Sequence, residues 1–129
     1  MAFNIDIVAA ANANSFFRQV VSTGPNAQVV LMCIPPNGEI GEEVHEHVDQ
    51  VLAFVAGEGA AILEGEESPV ARDLLVHVPA GVRHNVVNRG STDLRLYTIY
   101  APPQHAPGTI HRTKAEADAD EADTFPVPA

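Results

Sequence analysis

The hydrophobic residues of the chain fall into short runs, and glycine, proline, asparagine and acidic residues separate these runs. Runs that are rich in valine and isoleucine and bounded by turn residues are typical of β-strands. Strands are therefore predicted over residues 15–22, 28–34, 51–56, 60–63, 74–78, 84–87 and 94–100. Short strands at near-regular spacing predict an all-β sandwich or barrel.

Three other segments receive weaker predictions from the same pattern. Residues 3–8 are expected to form an edge strand. The Ala/Asn stretch after them is expected to form a turn or a short helix. The acidic residues 64–69 are expected to form a turn. Thr113 to Glu116 fits a helix-capping pattern ahead of an acidic, alanine-rich stretch. Residues 113–129 are therefore expected to form a short helix and a loose tail.

The run from Gln28 to Ile34 is apolar at both alternating positions. Because neighbouring side chains of a strand point to opposite faces, both faces of this strand are expected to be covered. A second sheet or another subunit would provide that cover. A homodimer is expected on this basis.

Length and charge narrow the classes of function. A chain of 129 residues is long enough for one domain with a real core. Its formal net charge of −10 argues against binding to nucleic acids and to anionic membranes, which require basic surfaces. Residues 113–129, with one lysine and five acidic residues, carry −4 of that charge. We interpret the excess as a contribution to solubility.

Cys33 is the single cysteine of the chain. It excludes an internal disulfide framework and a cysteine-based zinc module, and its apolar neighbours predict a buried, inert thiol. The first residues lack the basic and apolar regions of a signal peptide. No window approaches the ~18 consecutive apolar residues of a membrane span. The chain is therefore expected to be soluble and cytoplasmic.

The residues that suggest chemistry lie in two segments, 44–50 and 79–88. On an extended segment, His45 and His47 would project to the same side, and imidazole is the commonest protein ligand of divalent metals. Gln50 can add an oxygen once the chain bends. The second segment offers His84 after a Pro/Gly turn. The two segments together predict a metal site.

In combination, the two segments resemble the motifs of the cupin superfamily. The first motif is matched by Gly38, His45, His47, Gln50 and Gly57, and the second by Asp73, Pro79, Gly81, His84 and Asn88. The whole chain looks like small single-domain bacterial cupins that are often labelled mannose-6-phosphate isomerase-like. This resemblance implies a double-stranded β-helix, or jelly-roll barrel, over residues 1–112 with N-terminal strands, followed by the acidic helix or tail of residues 113–129.

The match departs from the family pattern at three places. Gly38 lies one residue further from His45 than the pattern asks, and Asp73 replaces a glycine. Gln50 replaces the usual glutamate ligand, and its distance from His47 along the chain is shorter by one residue. Asp49 is therefore a rival oxygen donor.

The resemblance implies a divalent transition metal, with Zn, Fe, Mn or Ni as candidates, held by His45, His47, Gln50 and His84. It also implies a small-molecule substrate or ligand. The leading hypothesis is an enzyme that acts on a small polar carbonyl or sugar-like compound by Lewis-acid isomerase or lyase chemistry. An Fe(II)-dependent dioxygenase and a non-catalytic ligand-binding or metal-binding cupin are the alternatives.

Proton transfer beside a metal would need another side chain. Because burying Arg95 is costly, the strand 94–100 is expected to point Leu94, Leu96, Thr98 and Tyr100 inward. Tyr100 is then a candidate catalytic acid or hydrogen-bond donor, although an aromatic plug at the barrel end is the simpler interpretation. His77 lies on the strand 74–78 with either face open to it, and a surface histidine is the simpler interpretation. For His105 and His111, cover of the barrel mouth or of another subunit is the alternative to the simpler interpretation of solvated loop residues.

Overall fold

A computed structural model describes residues 3–125 of the chain. The last four residues of the expected loose tail lie outside this range. The elements, in chain order, are α1 (Ile7–Ala13), β1 (Arg18–Thr23), β2 (Gln28–Ile34), β3 (Asp49–Ala56), β4 (Glu58–Leu63), β5 (Glu66–Ala71), β6 (Leu75–Val78), β7 (His84–Asn88), β8 (Leu94–Ala101), β9 (Ile110–His111) and α2 (Lys114–Ala119).

The strands form two antiparallel sheets, which confirms the all-β jelly-roll prediction. The larger sheet has the order β6-β3-β8-β2-β1-β9, and the smaller sheet has the order β5-β4-β7. Isolated bridges from Glu39 to Val87 and from Glu43 to His84 lay residues 39–43 along the free edge of β7. This pairing carries the chain directly from the edge of the smaller sheet to His45.

The main core lies between the two sheets. It is built from the inward positions of the strands, and its members include Phe17, Val30, Met32, Ile34, Leu52, Phe54, Val86, Leu94 and Leu96. Burying this apolar surface is the main stabilising term of such a fold. Towards one end of the barrel the interior turns polar, with buried arginine, glutamine, histidine, threonine and tyrosine side chains.

The N-terminal segment is helical, so the prediction of an edge strand over residues 3–8 was wrong. Asp6 caps α1 by accepting a hydrogen bond from the Ala9 backbone N–H at 3.1 Å. A small second cluster joins Ala11 of α1 to Leu31 and Val55 of the larger sheet. The outer face of β2 is therefore covered at Leu31 by this helix. A homodimer was expected because this face is apolar, and it stays a prediction.

The acidic stretch 64–69 was predicted to be a turn, but most of it belongs to strand β5. Glu64 and Gly65 both have positive φ values, of 49° and 81°, and they connect Leu63 directly to its partner Glu66. Two consecutive residues of positive φ make the tight turn that suits the twist of a hairpin. The acidic side chains that follow, Glu66 and Glu67, are exposed at the start of β5.

Replacing Gly57 with alanine is expected to lower the free energy of unfolding by about 3 kcal/mol, because positive φ and overpacking both oppose a side chain there. Gly57 has φ +87°, and a Cβ atom would lie 2.5 Å from the Asp93 carbonyl oxygen. Gly65→Ala is the matched control, since its φ is +81° with nothing within 4 Å. Gly65→Ala should lower the free energy of unfolding, measured with urea, by about 1 kcal/mol. Equal losses of unfolding free energy in the two variants would show that the close approach of residue 57 to Asp93 does not contribute to the effect.

Candidate functional site

The polar end of the barrel is built on β3 and β8, which pair so that Gln50 lies opposite Tyr100. The alternating burial of β8 confirms that Leu94, Leu96, Thr98 and Tyr100 point inward. Gln50 is also inward and is 2% exposed. Its amide Nε2 donates to the Thr98 hydroxyl at 3.1 Å. The register of two neighbouring strands therefore holds the Gln50 side chain in place.

His84 lies at the start of β7 and faces Gln50 across the barrel. Its Nδ1 lies 2.9 Å from the Val82 carbonyl, so Nδ1 carries the proton and donates to that oxygen. In the neutral ring, Nε2 then has a free lone pair, and it lies 3.2 Å from Gln50 Oε1. Two acceptors facing each other fit a cation between them. With the Gln50 amide turned over, the pair would instead be an ordinary hydrogen bond.

His45 brings a second imidazole to the same place. Its ring centroid is 5.2 Å from that of His84 and 5.9 Å from that of Tyr100. Burial lowers the pKa of His45, although the nearby Glu43 carboxylate opposes this effect. Nε2 of His45 is buried and makes no hydrogen bond of acceptable geometry, even though a Glu43 oxygen is 3.3 Å away. A neutral, unpartnered imidazole nitrogen is a ready metal donor.

The structure does not bring His47 into this cluster. Residues 46 and 47 form a turn, and the His47 side chain is exposed while His45 is buried. Asp49 also points outward, where it accepts hydrogen bonds from the Ala80 backbone N–H at 2.9 Å and pairs with His77 at 3.1 Å. The oxygen donor beside His84 is therefore that of Gln50. Within residues 3–125, no three side chains of the His, Cys, Asp and Glu types form a ready-made metal cage.

His105 continues the cluster on the far side of Tyr100, at a ring-centroid distance of 4.9 Å. Its Nδ1 lies 2.7 Å from Asp123 Oδ2, and both side chains are 7% exposed. Burial lowers the pKa of His105, and the hydrogen bond to Asp123 opposes that effect. The neutral ring then donates from Nδ1 to Asp123. Nε2 of His105 is buried without a partner.

A buried glutamine fixes His105 in this position. Gln28 on β2 donates to the His105 carbonyl at 2.8 Å and accepts from the His105 backbone N–H at 3.0 Å. The interpretation of His105 as a solvated loop residue was wrong, as was that of His111. His111 is 3% exposed, and it links Arg18, at 3.2 Å, to Asp120, at 2.9 Å.

Two cavities flank the cluster. One, of about 530 Å³, is lined by residues 44–48, by Pro102 to Gln104 and by Thr124 and Phe125, so His45 and His47 both border it. The other, of about 510 Å³, includes Arg18, Glu43, His105, Asp120 and Asp123 in its lining. The C-terminal segment thus forms part of both cavity walls.

Three of the four expected metal ligands lie close together in the structure, and His47 does not. His84 Nε2 and Gln50 Oε1 face each other, and His45 Nε2, buried near them, adds a third lone pair in the tautomer that carries its proton on Nδ1. Nitrogen donors with a neutral oxygen suit Zn, Fe, Mn or Ni. His47 would complete the set after a rearrangement of its turn. Three ligands would leave open positions for a substrate or water.

Comparisons with known proteins agree with this architecture. Residues 30–100 match the family described as "Cupin domain". The chain is 42% identical over 125 residues to the uncharacterized protein YrkC of Bacillus subtilis, covering 92% of this chain and 67% of that protein. The crystal structure of BH2720 from Bacillus halodurans has a TM-score of 0.92 and 40% identity, covering 93% of this chain and 96% of that one.

A more distant relative has a name that describes a ligand. The oxalate-binding protein of Thermotoga maritima is 26% identical over 68 residues, covering 53% of this chain and 56% of that protein. No helix within residues 3–125 is long and apolar enough to cross a membrane. The family match spans more than half of the chain, and it agrees with the two-sheet barrel and its internal histidines: the chain belongs to the cupin family.

Proposed function

We propose that this cupin binds a divalent transition metal and acts as an enzyme on a small polar carbonyl or sugar-like compound, by isomerase or lyase chemistry. The observation that carries the proposal is the buried, unpartnered Nε2 of His45 beside His84 and Gln50. A buried polar atom without a partner is costly, and a bound ion would satisfy it. The proposed setting is a homodimer in the cytoplasm.

The proposed ligands are His45, Gln50 and His84, with His47 as the fourth. When bound, a divalent ion would supply Lewis-acid polarisation of a carbonyl oxygen. Gln50 contributes a neutral oxygen, so the ligand set leaves the full charge of the ion in place. The Val82 carbonyl holds the Nδ1 proton of His84 and thereby directs its Nε2 lone pair inward.

Proton transfer is assigned to His105. Its Nε2 is unpartnered in the interior, and Asp123 orients the ring through Nδ1, which is the arrangement of an oriented general base. Tyr100 lies between His105 and His45. Burial raises the pKa of Tyr100 above its ordinary value, so its hydroxyl stays protonated. We therefore assign Tyr100 the role of a hydrogen-bond donor to the substrate.

A non-catalytic binding protein is the second candidate. The relative from Thermotoga maritima is named for binding and not for a reaction. The same ligands would then hold a small molecule without proton transfer at His105.

The two candidates are separated by incubating Mn-loaded or Zn-loaded protein with a panel of small keto acids and ketoses in D2O. An enzyme of the proposed kind should introduce deuterium beside a carbonyl group, as measured by NMR. His105→Gln should abolish the exchange, and His77→Gln, a change at an exposed histidine, should not. Binding without exchange across the panel would favour the binding protein. Oxygen uptake by the Fe(II)-loaded protein would support a dioxygenase.

A further inference from the structure

The second cavity contains a buried cation with no anionic partner. Arg18, the first residue of β1, is 6% exposed. Of its guanidinium nitrogens, one lies 3.2 Å from His111 Nδ1, and Nε is buried without a partner. Among the described residues, no carboxylate oxygen lies within 4.0 Å of the group. Buried charges in proteins are ordinarily paired, because an unpaired one is strongly destabilising.

Two of the acidic residues that share this cavity accept hydrogen bonds from donors other than Arg18. Asp123 accepts hydrogen bonds from His105 and from the Ala106 backbone N–H, at 2.7 and 2.9 Å. Asp120 accepts from His111 at 2.9 Å. Because Arg18 always carries its protons, it donates to His111 Nδ1, and the Nε2–H of His111 is directed at Asp120. The network thus holds Arg18 in place without neutralising it.

The charge of Arg18 also reaches the cluster around Tyr100. It opposes the rise in the pKa of Tyr100 that burial causes, and it adds to the lowering of the pKa of His105, which burial also causes. Arg18 therefore lies on the same polar interior as the proposed proton-transfer residue. A ligand between Arg18 and His105 would contact both.

We propose that Arg18 is the subsite for a carboxylate group of the substrate, so that the substrate is a small monocarboxylate carrying a second polar group. The planar guanidinium matches a carboxylate through two parallel hydrogen bonds. The cavity wall carries the cations Arg18 and Lys114 and six carboxylates, those of Glu39, Glu42, Glu43, Asp118, Asp120 and Asp123. This excess of negative charge penalises a dianion more than a monoanion. Inorganic phosphate should therefore bind less well than a monocarboxylate.

The chemical role of this subsite rests on the proposed metal function, but binding of the anion does not require the metal. The probe is pyruvate, titrated calorimetrically into the full chain as purified and again after chelation. Pyruvate should bind in both cases. Its neutral analogue pyruvamide and inorganic phosphate should bind at least about tenfold more weakly, the loss expected when a charge-assisted pair is removed or opposed.

Arg18→Gln should weaken pyruvate binding by about tenfold or more. The control Arg72→Gln, at a side chain that is 78% exposed and does not line this cavity, should leave pyruvate binding unchanged. If Arg18→Gln does not fold, as judged by circular dichroism, Arg18→Lys keeps the charge but loses the planar fork and should also bind pyruvate more weakly.

Pyruvate binding that survives in the folded Arg18 variant overturns the subsite. Binding that is lost in His84→Ala but kept in the Arg18 variant assigns the anion to the metal and overturns the inference as well. Arg18-dependent binding in a protein that takes up no metal would leave the subsite standing and remove the metal function.

Discussion

Replacing His84 with alanine is expected to remove the bound divalent metal while the barrel stays folded. His84 is 4% exposed, and its Nε2 is directed at Gln50 by the hydrogen bond from Nδ1 to Val82. Loss of one of three converging donors should lower the metal affinity by at least about 100-fold, more than is typical for residues that only support ligands. Metal content by elemental analysis and the melting temperature are the two measurements.

Two other histidines supply the comparison. His77→Ala removes an exposed ring that pairs with Asp49, and it should leave the metal content unchanged. His47→Ala tests the ligand that the structure leaves on an exposed turn. Loss of metal in His47→Ala would show that the turn closes when the ion binds. Full retention of metal in His84→Ala would remove the ligand assignment altogether.

The fold could be predicted because its signals are local. The strands β2 and β8 follow from apolar runs bounded by turn residues, and the motif residues from Gly38 to Asn88 identify the family. A short helix was one of two expectations for the Ala/Asn stretch, and α1 confirms it. Its first two residues were assigned to the edge strand 3–8, because the alternating pattern there resembles a strand. The turn at Glu64 was predicted, but strand β5, which pairs its exposed acidic residues with β4, was not.

The site was predictable where it depends on strand alternation. Inward positions on β8 placed Thr98 and Tyr100 correctly, and the same alternation on β3 separates Gln50 from Asp49. Arg18 and His105 were not predicted, because their environments come from residues far away in the chain. The Gln28 amide that holds His105 lies 77 positions away, and His111 lies 93 positions from Arg18. The signal available in the sequence was the position of Arg18 inside the predicted strand 15–22, where strand alternation places it on the same face as the apolar Val20.

Replacing Asp123 with alanine should lower the free energy of unfolding at pH 7 by about 3 kcal/mol, because two buried or half-buried donors lose their acceptor. These donors are His105 Nδ1–H and the Ala106 backbone N–H. Asp118→Ala is the control on the same C-terminal segment. Asp118 is 63% exposed and pairs with Lys114 across one helical turn, so its loss should cost no more than about 0.5 kcal/mol.

The effect of Asp123→Ala should depend on pH in a defined direction. Burial alone would raise the pKa of Asp123, but hydrogen bonds from His105 and Ala106 hold it below the ordinary value of 3.8. A carboxylate with a lowered pKa stabilises the fold above its unfolded pKa, and the contribution is lost as the pH falls through the folded value. The difference between the wild type and Asp123→Ala in the free energy of unfolding, measured with urea, should therefore widen somewhat between pH 6.5 and pH 5, because Asp123 raises the folded pKa of His105 only in the wild type, and it should shrink below pH 3.8. Both proteins should lose stability below pH 6.5, because burial keeps the pKa of His105 low and the unfolded chain takes up the proton first. A difference that continues to grow below pH 3.8 would show that the pKa of Asp123 is raised in the folded protein, and His105 would then lack the charged partner that orients it.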